Sequence, residues 1–192
     1  MRKISDIRFP WLKTRADETI AAILDRPGMF RDFARLSNSD EIRAFADGLG
    51  EHASPKTWRN AIQKMRRAVR LWDKVKDSGT EVQRRALQLE IHRALTDMKT
   101  PSFTTIGLTS ELRVAVYPVN LLAYMWLTFA RVVSGEIEER RCKMFERCHG
   151  YVYVGRGPGL QRVDTTTCGA ACRQKKKRQK SERGGLSYNS RQ

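Results

Sequence analysis

The spacing of apolar residues predicts a helical first part of the chain. The clearest helix covers residues 55–76, with Ser54 as its N-cap and Pro55 at its first position. Its apolar side is one continuous stripe, made of Trp58, Ala61, Ile62, Met65, Ala68, Val69, Trp72 and Val75. Four basic residues fall on the other side, namely Arg59, Arg66, Arg70 and Lys74. The simplest interpretation of those four is a solvated helix surface.

Shorter patterns on either side predict further helices and one hairpin. A helix near residues 20–24 is stopped by Pro27-Gly28, and Asn38 with Glu41 forms a capping box that begins another. Thr80 and Gln83 form a second capping box, which begins a helix over residues 80–98. Residues 103–117 are rich in β-formers on both sides of a central turn, and this pattern predicts a β-hairpin.

Residues 119–134 are apolar on nearly all sides, which predicts a helix at the centre of the core. The apolar stretch includes Asn120 and Arg131 and is shorter than the roughly 20 residues of a membrane span. The N-terminus carries Arg2 and Lys3 without a following apolar run, so we expect no signal peptide. We therefore expect a cytoplasmic protein with reduced thiols and no membrane partner.

Charge and cysteine change abruptly along the 192 residues. The net charge is +16 and the pI about 10.2, and such an excess favours a polyanionic partner. Residues 142–192 hold 12 basic and 3 acidic side chains and all four cysteines. We predict an α-rich domain over residues 1–140, a metal-binding module over 141–180 and a disordered basic tail over 181–192. The fold class is mainly α with a small β-hairpin, followed by a treble-clef-like or zinc-ribbon module.

The cysteines have the spacing of a structural metal site: Cys142-x5-Cys148-x19-Cys168-x3-Cys172. Between the two pairs we expect a strand at 151–154, a glycine-proline turn and a second strand at 160–166. Four thiolates can bind one Zn²⁺ tetrahedrally and leave no position for a catalytic water. Two alternatives remain: His149 replaces one cysteine as a ligand, or no metal is bound.

The same residues resemble a known family. Arg140-Arg141-Cys142, Cys148-His149-Gly150-Tyr151-Val152-Tyr153 and Cys168-Gly169-Ala170-Ala171-Cys172-Arg173 are similar to segments of bacterial CGNR-type zinc-finger proteins. Those pair an N-terminal, mostly helical ABATE-type domain with a C-terminal zinc finger. The family's Gly-Asn-Arg is replaced by Arg173-Gln174-Lys175, so the resemblance is to a divergent member. It implies Zn²⁺ at Cys142, Cys148, Cys168 and Cys172 and a role in stress-related transcriptional regulation.

A dense basic run follows the last cysteine. Its members are Arg173, Lys175, Lys176, Lys177, Arg178 and Lys180, and such residues bind phosphates by releasing counterions. We expect them to bind nucleic acid, with duplex DNA as the main candidate, in a bacterial transcriptional regulator. The helical domain would be an oligomerisation unit, as in a homodimer, or a sensor of a small ligand. We find no catalytic motif and expect no enzyme. The alternative function is a non-enzymatic protein-interaction module with a purely structural zinc site.

Overall fold

The computed structural model describes residues 26–49, 55–96, 104–108, 114–118, 120–156 and 159–186, together with Ile23. The chain forms two compact units, Met1–Ser134 and Gly135–Gln192. The sequence placed the boundary at residue 140. Residues 135–140 belong to the second unit, since the strand over residues 138–141 pairs within that unit.

The described part of the first unit contains five helices and one hairpin. The helices are α1 (Met29–Arg35), α2 (Ser39–Asp47), α3 (Pro55–Ser78), α4 (Glu81–Thr96) and α5 (Leu121–Val133). The strands β1 (Thr104–Leu108) and β2 (Val114–Pro118) pair antiparallel in the register Thr104↔Pro118 to Leu108↔Val114. The predicted mainly helical class with a small hairpin is confirmed. Of the helix predicted near residues 20–24, the structure describes only Ile23, which is helical and fully buried. The N-cap Ser54 lies outside the described residues.

Side-chain caps begin two of these helices as predicted. The Asn38 side chain accepts a hydrogen bond from the backbone N–H of Glu41 at 2.8 Å. The Glu41 carboxylate accepts from the N–H of Ser37 at 2.7 Å, one residue before the cap. Before α4, the Gln83 side chain accepts from the N–H of Thr80 and the Thr80 hydroxyl accepts from the N–H of Gln83. These bonds satisfy N–H groups that a helix start leaves without partners.

Helix α5 is the centre of the first unit's core, as its apolar sequence predicts. It contacts α1, α3, α4 and β2. Its buried residues are Leu121, Leu122, Ala123, Met125, Trp126, Thr128, Phe129 and Val132. The Phe129 ring lies 5.0 Å from the ring of Phe30 on α1 and 6.1 Å from that of Trp126. The first unit therefore has a substantial aromatic and aliphatic core of its own.

Helix α1 is an element that the sequence patterns did not predict. It is short and has no side-chain cap at its start, but Phe30 and Phe33 are fully buried. The Arg66 guanidinium on α3 donates hydrogen bonds to the carbonyls of Ala34 and Leu36 and so closes the end of α1. Arg59 likewise donates to the Ser39 hydroxyl. Two of the four basic residues on α3 thus make internal contacts, which a purely solvated surface would not include.

The second unit contains β3 (Glu138–Arg141), α6 (Phe145–Cys148), β4 (Tyr151–Val154) and α7 (Ala170–Leu186). Strands β3 and β4 pair antiparallel, from Glu138↔Val154 to Arg141↔Tyr151. The prediction that residues 160–166 are the partner strand of residues 151–154 is wrong. Beyond β3, strand β4 makes only an isolated bridge between Val154 and Gln161 among the described residues.

The partner of β4 is β3, whose four residues are all charged, so no alternation of apolar and polar residues predicts a strand there. Glu139 lies opposite Tyr153, whose hydroxyl donates to the Glu139 carboxylate at 3.1 Å. Arg140 donates to Glu138 on the same strand. In contrast, Val163 is 72 % exposed, as an irregular segment without a buried face allows.

Helix α7 continues to Leu186, past residue 180, where the sequence predicted the start of a disordered tail. Residues 187–192 lie outside the described residues. Among the helices that the structure describes, none has the length and apolar character needed to span a membrane.

A buried guanidinium links α1 to α3. Arg31, 6 % exposed, donates two hydrogen bonds to the Asp73 carboxylate, at 2.8 and 3.1 Å, and Lys76 lies 3.2 Å from the same carboxylate. Partial desolvation of Asp73, whose side chain is 39 % exposed, opposes its ionisation, but the bonds from Arg31 and the charge of Lys76 outweigh that effect and lower its pKa.

We predict that Asp73→Asn lowers the free energy of unfolding by about 1–2 kcal/mol at pH 7, since a buried guanidinium loses its partner. The folded-state pKa of Asp73 is depressed, so its contribution is present above the unfolded pKa of about 3.9 and is lost as pH falls through the folded value. The difference in free energy of unfolding between the native chain and the variant should therefore shrink below about pH 4.

Urea unfolding followed by tryptophan fluorescence measures the stability of the first unit, because all four tryptophans lie in that unit. Asp32→Asn is the matched control, since Asp32 pairs with Arg26 at the exposed surface, where an ion pair adds little stability. A difference that stays constant from pH 6 to pH 3 would contradict the assignment of the pKa shift to this pair.

Candidate metal centre

Four elements of the second unit bring the cysteine thiols together. Cys142 directly follows β3 and Cys148 ends α6, so both lie in the connection between β3 and β4. Cys168 lies in the turn before α7, and Cys172 is in the first turn of that helix. All four sulfur atoms lie within 4.8 Å of one another. A hairpin connection and a helix start thus each supply two ligands. The sequence predicted the second pair at a helix start, but it placed the first pair before a hairpin and not within its connection.

The distances between the sulfur atoms fit a tetrahedral ion. Cys148 and Cys168 Sγ lie 3.8 Å apart, and Cys168 and Cys172 Sγ lie 3.5 Å apart. A tetrahedral ion with metal–sulfur bonds of about 2.3 Å, as zinc forms, requires sulfur separations of about 3.8 Å. The observed distances are far longer than the roughly 2.05 Å of a disulfide. The four thiols can therefore hold one metal ion with little rearrangement.

Backbone N–H groups point at two of the sulfur atoms. Met144 and Cys168 each donate to the Sγ of Cys142 at 3.4 Å, and Gly150 donates to the Sγ of Cys148 at 3.4 Å. Hydrogen bonds of this kind stabilise a thiolate more than a thiol. They also fix the orientation of the ligand side chains, which is the usual role of groups around a metal site.

Three of the thiols have shifted pKa values, in different directions. Burial opposes ionisation of Cys142 most strongly, yet the N–H donors of Met144 and Cys168 and the neighbouring thiols outweigh it and lower its pKa. Burial and the neighbouring thiols raise the pKa of Cys168 far above its usual range. The hydrogen bond from Cys168 favours ionisation of Cys172, but burial, Cys148 and the charge of Cys142 together raise its pKa. A bound cation would favour the thiolate form, because a thiol that coordinates a metal loses its proton.

Gly150 is part of the site because no side chain fits there. A Cβ atom at this position would lie 2.7 Å from Cys168 Sγ and 3.5 Å from Cys148 Sγ. The preceding residue, His149, has φ 48° and places its ring edge-on to Phe145, with centroids 5.7 Å apart. The group of candidate ligands in the described chain consists of the four cysteines, without His149. The three-cysteine, one-histidine alternative is therefore not the arrangement that the structure assembles.

The apolar core around these thiols is small. Its buried members are Cys142, Met144, Val152, Val154 and Cys172, with Cys148 and Cys168 packed against them. Four of these seven residues are the candidate ligands themselves. Chain segments meet at the same place, since Cys142 N–H donates to the Gly150 carbonyl and Lys143 N–H to the Thr166 carbonyl. The candidate ligands are thus also part of the buried cluster at this point.

The residues proposed for nucleic-acid binding all lie on α7. Arg173, Lys175, Lys176, Lys177 and Arg178 are exposed, and Lys176 donates to the Thr166 hydroxyl at 3.0 Å. Lys180 is in the same helix, but its side chain lies outside the described part. Gly150 and the N–H donors were not singled out from the sequence. The position of Gly150, two residues after Cys148, could have indicated a close approach to the metal ligands.

Comparisons of the chain with protein-family models, curated proteins and solved structures found no match.

We predict that Gly150→Ala weakens metal binding at least about ten-fold, because the added methyl group overlaps the sulfur of Cys168 and displaces a ligand. Gly169→Ala is the matched control, since a Cβ at Gly169 meets no heavy atom within 4 Å. The measurement is competition for Zn²⁺ between each variant and a chromogenic chelator. An equal loss of Zn²⁺ affinity in both variants would contradict the geometry described for Gly150. So would an unchanged Zn²⁺ affinity in Gly150→Ala.

Proposed function

We propose that the cysteine cluster holds one Zn²⁺ and that this ion presents α7 as a nucleic-acid-binding helix. The donor set supports zinc, because four thiolates in a tetrahedral arrangement are typical of structural zinc sites. Cys142, Cys148, Cys168 and Cys172 would fill all four coordination positions. The ion would then have no open position for substrate, and its role would be to stabilise the fold.

The observation that carries the nucleic-acid proposal is the attachment of an exposed basic helix to the cluster. Residues 173–178 are all exposed, and five of these six are Lys or Arg. From Arg173 to Arg191 there are eight basic side chains and one acidic side chain, Glu182. A helix of this charge attracts phosphates strongly and independently of base sequence. Arg side chains can in addition bind guanine in the major groove of duplex DNA.

The position of Cys172 separates two pairs of basic residues on α7. Lys175 and Lys176 follow Cys172 by three and four positions, so they lie on the same side of the helix as the thiol. Lys177 and Arg178 follow it by five and six positions and lie on the opposite side. Because Cys172 is directed at the cluster, Lys177 and Arg178 point away from the module's body. We assign the main phosphate contacts to this outward pair.

Under this proposal the chain acts in transcriptional regulation, in line with its resemblance to CGNR-type zinc-finger proteins. The protein would then be bacterial, cytoplasmic and without enzymatic activity. The protein-interaction alternative keeps the same structural zinc site but gives α7 no nucleic-acid partner. The two differ in one measurable property, which is affinity for duplex DNA at physiological salt.

For duplex DNA, the logarithm of the native chain's affinity should fall linearly with the logarithm of salt concentration, by about 0.9 per phosphate contact. Replacing both Lys177 and Arg178 with Ala should reduce the slope by about 1.8, because two contacts are lost. The matched double variant, Lys175→Ala with Lys176→Ala, removes the same charge from the thiol side and should change the slope by less than about half as much. Fluorescence anisotropy with a labelled duplex measures both slopes.

If the salt slope fell equally in the two double variants, the basic residues would act as a flexible polycation and not as an oriented helix. Failure of the native chain to bind DNA or RNA below about 100 μM at about 150 mM salt, the weak end of non-specific affinities, would favour the protein-interaction alternative. Binding of RNA with much higher affinity than duplex DNA would assign the helix to RNA.

A further inference from the structure

A groove on the first unit has features of a small-molecule site. It lies between α3, α4 and the end of α5 and has a volume of about 870 Å³. Its apolar surface is formed by Trp72, Val75, Leu87, Ile91, Leu95 and Val133. Leu87 and Ile91 are buried in the core, whereas Leu89 at the edge is 46 % exposed. Ligand sites in proteins are typically apolar clefts of about 300–1,000 Å³ with a few polar groups.

The ionisable side chains of this groove are all basic ones. Lys76, Arg84, Arg85 and His92 line it, and no carboxylate occurs among the described lining residues. Lys76 is paired with Asp73, so its charge is already partly neutralised. Arg84 and Arg85 are exposed and make no side-chain hydrogen bond or ion pair with any described residue. Two guanidinium groups, from consecutive residues of α4, therefore stand beside an apolar surface without a counter-charge from the groove.

We propose that this groove binds a single-chain carboxylic acid of the fatty-acid class. The carboxylate would pair with Arg84 or Arg85, since guanidinium groups match carboxylates in shape and charge. The hydrocarbon chain would lie along Trp72, Leu95 and Val133, which are only partly buried, and would leave water there. A sugar phosphate would leave the apolar surface unused, and a neutral lipid would leave both guanidinium groups without an anion. A carboxylate with an aliphatic chain satisfies both features.

This inference does not depend on the nucleic-acid proposal, because the groove lies entirely within the first unit. Trp72 provides a direct signal, since a chain lying against its ring changes its fluorescence emission. The full chain can thus be titrated with octanoate, decanoate and dodecanoate below their micelle-forming concentrations. Decanol is the neutral comparison, with the same chain as decanoate and no carboxylate.

Decanoate should bind at least about ten-fold more tightly than decanol, which is the gain expected from one charge-assisted hydrogen bond. Each added methylene should raise affinity by up to about four-fold while the chain still fits the groove. The double variant Arg84→Ala with Arg85→Ala should lose about ten-fold in decanoate affinity and keep its decanol affinity. The control Arg43→Ala with Lys64→Ala removes two exposed charges elsewhere on the first unit and should leave both affinities unchanged.

Three results would overturn the proposal. Equal affinity for decanoate and decanol would exclude a role for the guanidinium groups. Equal loss of decanoate affinity in both double variants would show only general attraction to a chain of net charge +16. No binding by calorimetry would exclude the fatty-acid class. If that result came with a dimer that Leu89→Asp converts to a monomer, the groove would be an interface between two copies of the chain.

Discussion

Convergence of four thiols on one point is the constraint on which the second unit depends. The connection between β3 and β4 supplies two of them and the start of α7 the other two. The buried apolar residues at that point are few, and two of the five are themselves cysteines. So few apolar side chains contribute little against the entropy of ordering the surrounding chain. We therefore infer that a bound metal supplies the missing stabilisation.

The first unit is stabilised in a different way. Its centre is α5, whose sequence is apolar on nearly all sides and whose Trp126 and Phe129 are fully buried. Contacts from α1, α3, α4 and β2 enclose this helix. Arg31 and Asp73 add a paired charge between α1 and α3, which orients the helices without replacing the hydrophobic core. Loss of a bound metal should leave this unit folded, because all four cysteines belong to the second unit.

The features predicted correctly from the sequence are those that depend on neighbours along the chain. The Asn38 and Thr80 caps and the apolar pattern of α5 are examples, because residues within four positions determine them. The grouping of four cysteines could be predicted from their number and spacing. Three features depend instead on distant partners. Arg66 on α3 donates to a carbonyl at the end of α1, and the Tyr153 hydroxyl on β4 donates to the charged strand β3. A glycine is needed at position 150 because a Cβ there would overlap the sulfur of Cys168.

Hydrogen–deuterium exchange of the full chain, with and without a strong metal chelator, tests the central claim most directly. The account predicts that chelation removes protection from the amides of residues 142–154 and 168–178. The amides of α5, Leu121–Val133, should keep their protection under the same conditions. Unchanged protection in the second unit would show that it folds without metal. Simultaneous loss of protection in both units would show that they are one cooperative structure, and either result would contradict the account.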